Sequence, residues 1–245
     1  MTIIPDRLVE LDTISLASGK HDTFDDGACL LEAVAWVAGE PWSDHPACVD
    51  PVLGAFGRAW NDALLDDDRN RLLKPFIPRL VGTAQGPDIQ DRRAFLACDW
   101  VVRMFTPAWL MRAGLDEDAQ ALVDLSALSS ANLCRAAMPV IAKARTRADA
   151  AGDAAGAAAG DAAQAAAWAA AGAAAWAAAW AATGAAAGDA AGAAAWAAAG
   201  AAAGDAAGDA AWDAAGDVLR STVVELQESA RDLFDRMIAV TEVAA

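Results

Sequence analysis

From residue 28 onward the apolar positions of this chain recur at three- and four-residue intervals, the pattern of helices that bury one face. Ala28 to Ala38 is an apolar run entered from the turn Asp25-Asp26-Gly27 and closed by Gly39, where a left-handed cap costs least. Asp50-Pro51 pairs an N-cap with a first-turn proline, opening a helix whose apolar face is Val52, Phe56, Ala59, Trp60 and Ala63. The triplet Asp66, Asp67, Asp68 ends that helix and starts another, with carboxylates at the positive end of the dipole, and Pro75 and Pro78 are expected to stop it. Beyond Gly82 and Gly86-Pro87, Asp88 to Phe105 reads as a long helix burying Ile89, Phe95, Leu96, Trp100, Val101 and Met104. Thr106-Pro107 restarts it with a kink, Gly114 closes it, and further helices span roughly Glu117 to Leu125 and Ala131 to Ala148. Upstream of all these, Val9, Leu11, Ile14 and Leu16 alternate with polar residues and predict an edge strand or an extended arm.

The pattern then changes. From Ala150 to Asp217 the chain is alanine interrupted on a four-residue clock by Gly, Gln or Trp, including Trp168, Trp176, Trp180, Trp196 and Trp212. Proline-free alanine predicts helix. At about 100° per residue a four-residue stripe drifts around the helix, so it needs a wrapping partner or shorter helices. Glycine every fourth residue weakens an isolated helix and admits close approach of another, which predicts pairing along a Trp/Gly packing stripe. A fold-back at Thr183-Gly184 into an antiparallel hairpin would set each of these Trp residues opposite a Gly. Downstream, Leu219, Val223, Leu226, Ala230, Leu233, Met237 and Val240 keep four-three spacing, a heptad seam for a helix that docks on the body or on its twin. The expected fold is therefore all-α, in three parts: a helical N-terminal domain (1–148), the repeat helices (149–217) and a C-terminal docking helix (218–245).

Charge narrows the partners. The net charge of −16, with no Lys or Arg in the repeat, disfavours nucleic acid and suits a cytoplasmic protein. No secretory signal opens the chain, so its four cysteines read as reduced thiols. Residues 162–188 carry no charge and are long enough for a membrane span, but Ala and Gly gain little from leaving water, so membrane association is the unfavoured alternative.

Several stretches carry a resemblance: Asp26 to Val34, Ala38-Gly39-Glu40-Pro41-Trp42-Ser43-Asp44-His45-Pro46-Ala47-Cys48, Arg79 to Thr83, Asp91-Arg92-Arg93, and Asp232 to Ile238. Together with the repeat, they resemble an uncharacterised family of bacterial, notably actinobacterial, and phage proteins bearing Ala/Trp/Asp four-residue repeats of variable length. The resemblance spans nearly the whole chain and implies no catalytic role. Family repeats carry arginines; this one has none.

Chemistry concentrates between Glu40 and Cys48. A ligand-binding reading lines a polar pocket with Glu40, Asp44, His45, Arg79, Arg92 and Arg93, and uses Trp42 as a stacking wall. The plainer reading gives the arginines structural salt bridges. His21, Cys29, His45 and Cys48 have the residue types of a zinc site but no recognised spacing, and His45 with Cys48 could be a base and nucleophile that lacks an orienting third residue. The expectation is a non-catalytic binding or interaction protein with no cofactor, acting on a protein partner or on itself, in phage or defence biology if the resemblance holds. A small-molecule-binding protein or enzyme built around His45, Arg92 and Arg93 is the alternative.

Overall fold

Every regular element described in the computed structural model is a helix, over residues 3–158 and 209–241, with side chains described for 3–151 and 219–241. The fold is all-α. Pro5 and Asp6 start α1 (Pro5–Glu10), which tightens into a 3₁₀ turn at Leu11–Thr13. Residues 9–13 are thus helical where the alternation of residues 9–16 predicted an edge strand or an extended arm, and extended backbone begins at Ile14. Helical geometry takes Val9 off the face of Leu11, so Val9 is 78% exposed while Leu11, Ile14 and Leu16 are buried. The sole β contact among the described residues is a bridge between Leu16 and Ala28.

α2 (Leu30–Ala38) ends at Gly39, whose φ of +72° is the left-handed cap its position predicts. α3 (Pro51–Ala63) begins where the Asp50 carboxylate accepts the N–H groups of Val52 and Leu53. The two helices approach closely because Gly57 has no side chain: a Cβ there would stand 3.0 Å from Leu30 Cδ2 and 3.2 Å from Leu31 Cδ2. α4 (Asp66–Leu73) carries the acidic triplet in its first turn. Pro75 and Pro78 do not stop the chain but open its next turns, a 3₁₀ turn at Lys74–Phe76 and α5 (Ile77–Leu80). Each proline lies where a helical N–H would have no partner.

The long helix is the second departure. α6 (Pro87–Trp100) passes into a π turn at Val101–Phe105 before α7 (Thr106–Arg112). Pro107 cannot donate to the preceding turn and its ring crowds that turn's carbonyl, so the helix widens by one residue and Thr106 N–H reaches back to Val101 O. The extra residue shifts the register. Val102 and Phe105 are buried, and Met104, expected inside, is 56% exposed.

The chain divides into two compact units, one running to Arg93 and resuming at Phe234, the other from Ala94 to Leu233. The boundary thus falls within the stretch 1–148. In the first unit Phe234 stands among aromatic rings, its centroid 4.9 Å from Phe76, 5.5 Å from Phe56 and 5.8 Å from Trp60. In the second, α8 (Asp116–Val123) and α9 (Ala131–Ala158) build an apolar cluster with α7. Cys134, Ala137, Ile141, Ala144 and Ala148 supply the α9 face at three-four spacing. The last helix, α10 (Asp209–Ala239), is fixed in this unit by Trp100 Nε1 donating to Ser229 Oγ at 3.0 Å and Arg112 Nε donating to Thr222 Oγ1 at 2.6 Å.

α9 continues through residue 149 into the repeat, and α10 starts within it, so both described ends of the repeat are helical. Trp168, Trp176, Trp180 and Trp196, the hairpin and the side chain of Trp212 lie outside the described residues. No helix among the described residues is long and apolar enough to cross a membrane. Of the C-terminal seam, Leu219, Ala230, Leu233, Met237 and Val240 are buried, whereas Val223 and Leu226 are half-buried.

Phe234→Ala should cost about 3 to 5 kcal/mol in urea unfolding, the range for losing a buried large aromatic. Val224→Ala, at a side chain 52% exposed on the same helix, should stay within about 0.5 kcal/mol of the parent. Equal effects would show that the Phe234 cluster does not carry this end of α10.

Candidate functional site

Loop 40–48 is braced from inside by its own polar groups. The Glu40 carboxylate accepts Ala47 N–H at 2.6 Å through Oε2. Trp42 Nε1 donates to His21 O at 2.9 Å, and the Trp42 ring meets Phe24 edge-on at 5.8 Å, so it lies against the protein rather than forming an open wall. Asp44 Oδ1 holds His45 Nδ1 at 2.9 Å, and Arg58 Nη1 donates to Asp44 O at 2.9 Å. Farther along, Ala84 N–H donates to Cys48 O at 3.0 Å and ties the end of the loop to residues after α5. Among the titratable groups of the loop, His45 is the exposed one, with its side chain 67% exposed. Burial pulls against ionisation of Asp44, but the hydrogen bond and charge of His45, with Arg58 adding, leave its carboxyl below the ordinary value.

A second knot lies beneath Trp42. Glu32, wholly buried in the first turn of α2, accepts three hydrogen bonds: His21 N–H at 2.7 Å, Cys29 N–H at 2.8 Å and the His21 Nδ1 contact at 2.9 Å. Burial pushes the Cys29 thiol up to about 12, with the Glu32 charge adding. Burial and then the Glu40 carboxylate push the Cys48 thiol up to about 11. Both shifts disfavour the thiolate, the form that attacks an electrophile. His45 Nδ1 meets the Asp44 carboxylate, and the Glu40 charge adds to the raising of the Cys48 thiol. The four zinc candidates likewise divide: His21 and Cys29 gather on Glu32, while His45 and Cys48 belong to the loop. Among the described residues no group of three or more His, Cys, Asp or Glu side chains is placed to hold a metal ion.

The three arginines of the expected pocket turn to the chain's last residues instead. Arg79 Nη1 pairs with Asp235, and its guanidinium lies 5.1 Å from the Phe76 ring centroid. Arg92 Nη1 donates to Thr241 O at 3.1 Å. Arg93 is completely buried: its Nε donates to Met237 O at 2.9 Å, its Nη2 to Val240 O at 3.0 Å and its Nη1 to Thr83 O at 2.7 Å. The same Nη1 stands 2.8 Å from Asp50 Oδ2, an ion pair with neither side chain exposed. Its line lies off the hydrogen-bond direction, so Oδ2 receives charge without an in-line donor. Asp50 meanwhile caps α3 through Oδ1. Opposite charges thus sit where two helix dipoles favour them, a carboxylate at the start of α3 and a guanidinium at the end of α10.

The seven predicted site residues therefore divide into a braced loop and a C-terminal clasp. Sequence reasoning missed Glu32, Asp50, Arg58 and Thr83 as partners within these networks. Glu32 was legible as a first-turn acid three residues after Cys29, and Asp50 as a cap, but nothing in the sequence links either to a distant residue. Comparison of the chain with protein-family models, with curated proteins and with solved structures finds no match.

Arg93→Met should destabilise by about 3 to 5 kcal/mol, because it strands a buried carboxylate, and adding Asp50→Asn, which keeps an N-cap acceptor, should recover part of that loss. Strictly additive effects in denaturant melts would show that the two side chains do not interact. Asp44 makes a pH prediction of the depressed-carboxylate sign. Its contribution is complete above the ordinary carboxylate value and is lost as pH falls through the lower folded value, so the stability gap between parent and Asp44→Asn should close on acidification. A gap that persists to the lowest pH at which both fold would contradict the His45 pairing.

Proposed function

We propose that this chain is a non-catalytic cytoplasmic binding protein that engages a protein partner, or a second copy of itself, through its helices. One observation carries this reading: the titratable groups singled out as a site are spent on the protein's own framework. Arg93 is sealed inside, the carboxylates of Glu32 and Glu40 hold backbone N–H groups, and the thiols of Cys29 and Cys48 are pushed away from ionisation. A reaction centre needs groups left available to substrate at a working pKa. An acidic surface also weighs against nucleic acid, and the link to phage or defence biology rests on the family resemblance alone.

A second reading has one observation in its favour. The exposed His45 ring, held at Nδ1 by Asp44, presents its Nε2 to solvent, as a base or a ligand-contacting group would. Native mass spectrometry of protein purified without denaturation separates the two. The binding-protein reading expects the polypeptide mass or whole-number multiples of it, unchanged by Asp44→Ala/His45→Ala. A stoichiometric extra mass that disappears in the double variant would overturn it in favour of small-molecule binding.

A further inference from the structure

The first unit carries an aromatic surface beside the braced loop. Among the described residues Phe24 is the one aromatic side chain that is exposed, at 44%. It sits in the 3₁₀ turn Phe24–Asp26, and two half-buried rings support it: its centroid lies 5.3 Å from that of Trp36 on α2 and 5.8 Å from that of Trp42 in loop 40–48. Arg7 of α1 joins the group, its guanidinium 5.4 Å from the Trp36 ring centroid and its Nη1 donating to Trp36 O at 2.6 Å. The rim is acidic. Asp22 and Asp25 lie on either side of Phe24 in sequence, and both are exposed and meet no cation among the described residues. We propose that the Phe24 surface docks a basic segment of a protein partner, with an arginine guanidinium laid over the ring and its charge met by Asp22 and Asp25.

Aromatic rings and arginines are the groups that carry binding energy at protein interfaces, because they bury large area at low entropic cost. The face of such a ring attracts a cation, and the protein lays one on this surface already: Arg7 over Trp36 is the intramolecular form of the contact proposed for Phe24. The carboxylates on both sides of the ring then decide the sign of the partner. A guanidinium brings the charge that Asp22 and Asp25 call for, and its edge can donate parallel hydrogen bonds to a carboxylate while its face stays on the ring. Asp26 has another task, since it accepts from Thr23 Oγ1 at 2.7 Å and so shapes the turn. A second copy, with its own net charge of −16, would bring like charge to the rim, and a nucleic acid would bring phosphates. The acidic rim steers a basic segment in, and the rings hold it. The surface and the class of partner proposed here rest on the reading of the chain as a binding protein for a protein partner.

Fluorescence anisotropy on the full chain, with a dye-labelled arginine–glycine repeat peptide as the probe at physiological ionic strength, tests this. The parent should bind the arginine peptide more tightly than its lysine counterpart and leave the uncharged citrulline counterpart unbound. Phe24→Leu, which keeps an apolar contact with Trp36 and Trp42 but removes the ring, and Asp25→Asn should each weaken binding about threefold or more. Asp67→Asn makes the same charge change at an exposed position on α4 and should leave the affinity unchanged. The indole N–H resonances of Trp36 and Trp42 should shift as the peptide is added. No binding by the parent would overturn the proposal, as would equal affinity for the lysine peptide. So would equal losses in Asp25→Asn and Asp67→Asn, the mark of attraction to the whole acidic surface, or a dimer of the parent in sedimentation that Phe24→Leu abolishes, which would give the surface to a second copy. Should Phe24→Leu fold poorly, Asp25→Asn against Asp67→Asn and the arginine peptide against the lysine peptide still decide. Each of these failures removes only the surface and the class of partner, whereas the binding-protein reading itself fails on a retained small molecule in native mass spectrometry, however the peptide behaves.

Discussion

The buried contact between Arg93 and Asp50 is the interaction on which the first unit depends. Arg93 spends its donors on three carbonyls, two of them at the end of α10, and places its charge beside the carboxylate that starts α3. A charge taken out of water is a heavy liability unless it is paired and hydrogen-bonded, so once Arg93 is enclosed, every one of its partners has to be in place. The chain's last turn of helix cannot leave without stranding a guanidinium. That requirement ties residues near position 50 to residues near position 240 more tightly than apolar packing alone, which tolerates sliding and repacking.

The aromatic packing of Phe234 acts with the clasp. Phe234 inserts among Phe56, Trp60 and Phe76, and its Cζ would stand 3.4 Å from a Cβ at position 57, so the absence of a side chain at Gly57 serves both the α2–α3 approach and the seat of this ring. Polar closure and apolar fit thus converge on the same last turns of α10. The candidate site residues Arg79, Arg92 and Arg93 all contribute to this closure, Arg93 from the interior and Arg79 and Arg92 from the surface.

Much of the helical layout was legible because it is encoded locally. Asp50-Pro51, Gly39 and the four-three spacing of Leu219 to Val240 each announce a cap, a stop or a buried face within a few residues. Where the reading failed, a local pattern competed with a signal of another kind. The alternation from Val9 to Leu16 looked like a strand, yet Pro5 and Asp6 had already started a helix. Met104 was expected inside because a regular α-helical period was carried up to Phe105, whereas the turn before Pro107 takes an extra residue. Within the site, Glu40, Asp44 and His45 were recognisable as a polar loop, but the destinations of Arg93 and Glu32 depend on residues far away in sequence, and no spacing rule reports them.

Native-state hydrogen exchange tests the central claim most directly. If the clasp makes the end of α10 and the body of the first unit one cooperative structure, the amides of Phe234 to Met237 and those of the α3 core from Phe56 to Trp60 should exchange with the same opening free energy and the same dependence on denaturant. Exchange at Phe234 to Met237 through a separate, lower-energy opening, while α3 stays protected, would contradict the account.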